Sequence, residues 1–166
     1  NMIFELIAVL NSKLIGYYIN KTTEKGTQNL FPRISLKSVK NLPVKFSKNK
    51  EIRNLSENIY SLNKTLQQQQ AKVINMLQRD YGLEKPTKKL ETWYELSLQS
   101  FFAEIAKAKI VLSAIQKDEV QEYFETYQKQ AVATKDQIIA TDKQIDAMVY
   151  VLYGLSNEEI EIVENS

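Results

Sequence analysis

The sequence predicts a mainly α protein built on a long antiparallel two-helix coiled-coil hairpin with a small helical tip, plus an N-terminal helix and short irregular or β elements. Three observations predict it. Apolar residues recur at heptad a and d positions at Ile52, Leu55, Ile59, Leu62, Leu66, Val73 and Met76, with Gln69 the one polar break. A second seam of this kind runs through Val120, Phe124, Tyr127, Ala131, Thr134, Ile138, Thr141, Ile145, Met148 and Leu152. Helix breakers are scarce, four Gly and three Pro in 166 residues, so both seams can run as continuous helices over about 48–80 and 113–153. Two long helices joined in one chain pair most simply as an antiparallel hairpin, which sets Ile52 near Leu152. The hairpin is first a strut; the other use of its seams is dimerisation, which leaves a homodimer open.

The remaining elements follow in chain order. The opening MIFELIAVLNSKLIGYYI reads as one helix whose apolar face holds Ile3, Leu6, Ile7, Leu10 and Leu14, widened by Ala8, Val9 and Ile15. Glu5 and the Asn11-Ser12-Lys13 interruption argue against a signal peptide or membrane anchor, and a helix this apolar is expected to lie in the core of a longer protein. Residues 21–34 carry loop chemistry, with Gly26 free to take positive φ and Pro32 fixing the chain after Phe31. Ser35 then caps a short helix that Pro43 ends, with Leu36, Val39 and Leu42 inward and Lys37 and Lys40 outward. Between the long helices, Gly82 and Pro86 interrupt the pattern, and Ser97 caps a helical tip over about 84–112 whose core is Trp93, Tyr94, Leu98, Phe101, Phe102 and Ile105. Gly154 stops the second long helix, and Ser156 with Glu159 forms a capping box for a last acidic turn.

Composition limits the chemistry. The chain has no Cys and no His, which removes thiolate sites, imidazole bases and most zinc sites. No Asp or Glu is followed two positions later by Lys, as a common metal-dependent nuclease requires, and no Gly-rich phosphate loop is present. Catalysis by this segment, and a metal or cofactor of its own, are therefore not expected. The net charge of +2 conceals an asymmetry: residues 13–53 hold ten cations against Glu24 and Glu51, whereas residues 54–166 hold 12 cations against 17 anions. Such a distribution draws a polyanion to one region. Its plain alternative is a solvated lysine-rich surface on a structural or holdase-like coiled-coil protein that grips partners with the hairpin tip.

The phrases LIAVLNSKLIGYYI, GTQNLFPRI and SLKSVKNLPV, with GLEKPTKKLETWYEL and DAMVYVLYGLSNEEIEIVE later on, resemble the C-terminal specificity region of TaqI-like type II restriction-modification enzymes, including the IIG-like methyltransferase/endonuclease fusions. In that family a second Pro usually follows the L-P-[IV] phrase; here Lys45 stands in its place. The resemblance implies that residues 1–47 are the C-terminal part of a target-recognition domain and 48–166 a helical spacer. It implies that the fragment itself is not an enzyme, but binds double-stranded DNA in the cytoplasm, away from membranes. Its partners would be catalytic domains elsewhere in the same chain, an adenine-N6 methyltransferase, a restriction endonuclease or both, using S-adenosylmethionine and Mg2+. Under it Lys25, Arg33, Lys37 and Lys40 are phosphate contacts, and the Gln28 and Asn29 amides can pair with adenine edges.

Overall fold

The computed structural model describes residues 2–22, 39–47 and 50–166. Its helices are α1 (Met2–Asn11), α2 (Lys13–Thr22), α3 (Glu51–Tyr81), α4 (Lys88–Glu91), α5 (Leu98–Lys107), α6 (Ala114–Tyr153) and α7 (Asn157–Glu164), with a 3-10 turn at Trp93–Glu95. No strand occurs among the described residues, and the fold is mainly α, with α3 and α6 as its long antiparallel pair. Both bounds of the hairpin helices agree closely with the heptad seams. The chain divides into two compact units, one made of Asn1–Tyr60 with Ala140–Ser166 and the other of Ser61–Ile139.

In the unit Ser61–Ile139, Leu66, Val73, Met76 and Leu77 of α3 pack with Val120, Phe124 and Ala131 of α6 and with Leu90, Trp93, Phe101 and Ile105 of the tip. Phe101 and Phe124 stack at 4.5 Å between ring centroids, and Trp93 lies 5.5 Å from Phe124. The indole is satisfied as well as buried, since Trp93 Nε1 donates to the Gln70 carbonyl at 3.1 Å. Gln128 Nε2 donates to the carbonyls of Tyr94 and Leu96, which fixes α6 against the 3-10 turn. Gln69, the polar member of the seam, keeps its Oε1 buried without a hydrogen-bond partner. An orphaned acceptor of this kind is destabilising where an apolar residue would not be.

Caps end the tip helices. Thr87 Oγ1 accepts from Leu90 N–H, and Ser97 Oγ accepts from Ser100 N–H as the sequence predicts. Just past the end of α5, Lys109 has a left-handed φ of 63° although it is not Gly, and Ile110 N–H closes back on the Ile105 carbonyl. Glu104 is buried on α5, where it accepts from Lys107 Nζ at 2.7 Å and from Thr87 Oγ1 at 2.8 Å. Those two donors, Lys107 first, hold its carboxyl below the ordinary glutamate range. A carboxyl with a lowered folded-state pKa stabilises the fold at neutral pH, and that contribution is lost as pH falls through the ordinary value and then the folded one. Urea unfolding followed by circular dichroism is therefore expected to show stability falling from about pH 5 downward, and Glu104→Gln is expected to be weaker than the wild type at pH 7 but to lose less on acidification.

The second unit, Asn1–Tyr60 with Ala140–Ser166, has its own core of Ala8, Val9, Ile15, Ile52, Ile145 and Val149, with Leu42, Val44, Leu55, Met148 and Leu152 packed against it. Here the structure corrects the sequence reading twice. The N-terminal helix is two helices, bent by 58° at Ser12, and the buried face of the pair is Glu5, Ala8, Val9, Ser12 and Ile15, while Ile3 and Ile7 are exposed. Ala8, Val9 and Ile15 are buried as the apolar periodicity predicts, but the face is turned away from Ile3 and Ile7 because two polar residues are buried with partners. Glu5 accepts from the Ser47 backbone N–H, and the Ser12 hydroxyl donates to the Val9 carbonyl at 2.7 Å. Val39 is the second correction, being 44% exposed where an inward position is expected. No single helix among the described residues is long and apolar enough to cross a membrane; α1 and α2 together have the length and composition, but only as the bent pair.

Candidate nucleic-acid interface

Three residues of α6, Asp146, Tyr150 and Tyr153, recur at helical steps of four and three and so lie along one side of the helix. Each holds a different part of the unit. The Asp146 carboxylate accepts the Lys13 backbone N–H at 2.9 Å, which satisfies an amide that the first turn of α2 leaves unpaired. Tyr150 donates to Glu164 of α7 at 2.7 Å, and Lys13 Nζ also pairs with Glu164. The Tyr153 hydroxyl donates to the Pro43 carbonyl at 2.6 Å and accepts from the Lys45 N–H at 3.0 Å. Gly154, with φ of +74°, then ends the helix by returning its N–H to the Tyr150 carbonyl.

The electrostatics of this row follow from burial. Asp146 is 4% exposed, and loss of hydration raises its pKa against the opposing pull of the Lys13 N–H. Burial, then the hydrogen bond to Glu164, also pushes the Tyr150 phenol up, so it remains a donor. Glu164 is held below its ordinary range, chiefly by Lys13 and then by Tyr150. These groups are mutually committed: Lys13 is used to hold α7.

Other cations in the basic stretch are not used in this way. Lys40, Lys45 and Lys50 are exposed, and among the described residues none of them pairs with a carboxylate, in contrast to Lys13, Arg79 and Lys107. Lys21 Nζ lies 5.5 Å from the Tyr17 ring centroid and Lys45 Nζ lies 5.0 Å from that of Tyr153. Of the residues the sequence nominates for DNA contact, Lys40 is exposed as expected, while Lys25, Gln28, Asn29, Arg33 and Lys37 lie outside the described residues. Tyr153 stands within the phrase DAMVYVLYGL, but sequence reasoning did not single it out. No group of three or more acidic side chains among the described residues is placed to hold a metal ion.

Residues 45–149 match the model of a family described as a domain of unknown function, DUF8810. The chain belongs to the DUF8810 family. The DUF8810 match takes in the hairpin with Lys45, Ile52 and Asp146, and it ends before Tyr150 and Tyr153. No curated protein and no solved structure matches this DUF8810 chain.

Proposed function

We propose that this chain is a DNA-recognition and spacer module of a restriction-modification enzyme, which binds duplex DNA in the cytoplasm and positions it for methyltransferase or nuclease domains elsewhere in the same protein. One observation carries the reading. The phrases that resemble such a module, LNSKL, NLPV and DAMVYVLYGL, are far apart in sequence but joined by hydrogen bonds: Asp146 to Lys13, and Tyr153 to Pro43 and Lys45. LNSKL and NLPV lie within or beside the most basic part of the chain, residues 13–53, where exposed Lys40, Lys45 and Lys50 pair with no carboxylate among the described residues. Exposed cations close in sequence and without a carboxylate partner suit counterion release from a duplex. The module has no chemistry of its own in this reading, and S-adenosylmethionine and Mg2+ belong to the catalytic domains.

The test is a titration of duplex DNA at low and at moderate salt. The wild type is expected to lose affinity steeply as salt rises. Joint replacement of Lys25, Arg33, Lys37 and Lys40 by Glu is expected to abolish most of that dependence, reducing the log–log slope by about 3 to 4 if each residue meets one phosphate. Salt-independent or undetectable binding by the wild type overturns the reading.

One feature favours a second reading, a structural or holdase-like protein. Val111 and Ile115, between α5 and α6 and at the start of α6, are 92% and 73% exposed. Large apolar residues this open suit the gripping of a partner. If Val111→Ser with Ile115→Ser abolishes suppression of a client protein's aggregation while DNA binding is absent, the second reading replaces the first.

A further inference from the structure

We propose that Lys45 contacts a backbone phosphate of duplex DNA and that Tyr153 is its positioning residue, an inference that rests on the DNA-binding reading above. Tyr153 holds Lys45 in three ways. Its hydroxyl accepts from the Lys45 N–H at 3.0 Å and donates to the Pro43 carbonyl at 2.6 Å, so the backbone on both sides of Val44 is fixed. The Lys45 ammonium lies 5.0 Å from the centre of the same ring. Lys21 and Lys72 also lie over tyrosine rings, at 5.5 and 4.9 Å, but Lys45 differs from the lysines held by carboxylates. Lys13 and Lys107 are oriented by Glu164 and Glu104, which cancel the charge they orient. An aromatic face orients an ammonium through its quadrupole and leaves the full positive charge and its N–H donors available. Lys45 is thus exposed, directed and unneutralised, with its backbone already ordered.

Preorganisation matters for a phosphate contact. A lysine on a free chain loses its rotamer freedom when it grips an anion, whereas one already held against a ring loses less. Lys40 and Lys50, both exposed and without a carboxylate partner among the described residues, add charge of the same sign on the two sides of Lys45 in sequence. A proline at position 45 could supply neither the N–H that meets Tyr153 nor the ammonium.

The experiment measures affinity of the full chain for a labelled duplex of mixed sequence across a salt series, with far-UV circular dichroism as the check on folding. Lys45→Ala keeps the backbone N–H, and is expected to fold normally, to bind severalfold more weakly and to reduce the salt slope by about 0.9, the value of one phosphate contact. Lys45→Arg is expected to keep the slope. Tyr153→Phe keeps the ring but loses both hydrogen bonds, and is expected to weaken binding while leaving the slope near that of the wild type. Lys117→Ala, an exposed lysine of the other unit, is the control that should change neither. If the wild type binds and Lys45→Ala matches it in affinity and slope, the phosphate contact is overturned while the DNA-binding reading stands. If Tyr153→Phe is neutral where Lys45→Ala is not, the positioning role is overturned. A wild type that does not bind the duplex overturns both proposals.

Discussion

Replacing Phe124 by Ala is expected to lower the free energy of unfolding by about 3–5 kcal/mol in the unit Ser61–Ile139. Phe124 is 1% exposed and belongs to the aromatic cluster, stacked on Phe101 and tilted against Trp93. Truncation removes buried apolar surface and leaves a cavity whose walls are rings held from several sides. Trp93 is tied to α3 through its indole N–H and Phe101 belongs to α5, so neither can readily move in to fill it. A whole domain is typically stable by only about 5–15 kcal/mol, so the loss is a large fraction of the total. Chemical denaturation at neutral pH measures it, and a loss under about 1 kcal/mol would mean that the ring stack contributes little beyond what a collapsed site recovers.

Ile52→Ala is expected to cost about 2–5 kcal/mol in the other unit. Ile52 is 1% exposed and packs in the core with Ala8, Val9, Ile15, Ile145 and Val149. The two substitutions should be distinguishable by amide hydrogen exchange. Ile52→Ala should speed exchange in Lys13–Thr22, and Phe124→Ala should speed it in Leu98–Lys107, if each loss is confined to its own core. Exchange that rises equally in both segments for either variant would instead show that the two cores open as one cooperative body.

The parts of this fold that were legible in the sequence are those in which cause and effect lie within a few residues. The ends of α3 and α6 follow from heptad spacing, and the caps at Ser97, Gly154 and Ser156 with Glu159 follow from local side-chain or backbone hydrogen bonds. The aromatic tip was legible for the same reason, since Trp93, Tyr94, Phe101 and Ile105 are buried together. The break at Ser12 was not, because its stabilising partner, Asp146, is 133 residues away. No window on the sequence joins a carboxylate in α6 to the first amide of α2. The buried face of α1 was read only in part for a related reason: Ala8 and Val9 were expected, but Glu5 is buried with the Ser47 N–H as its donor, and a periodicity count treats any glutamate as outward-facing. The outward position of Lys40 was legible, but the part Tyr153 plays was not, because its partners Pro43 and Lys45 lie more than a hundred positions earlier.

The same separations set an order of assembly during synthesis. Lys13 and Lys45 leave the ribosome 133 and 108 residues before Asp146 and Tyr153, the groups that hold them. At ordinary translation rates that is a wait of roughly 5 to 30 seconds, while helices and short loops form in microseconds. Ser61–Ile139 is contiguous, so its aromatic core can close while Ala140–Ser166 is still unmade. Ala8, Val9 and Ile15 meet their α6 partners Ile145 and Val149 only after the whole of Ser61–Ile139 has been made. The core of Ser61–Ile139 can therefore close before the core that Ile145 and Val149 complete, and the backbone that carries Lys45 is fixed only after the hairpin tip has been made.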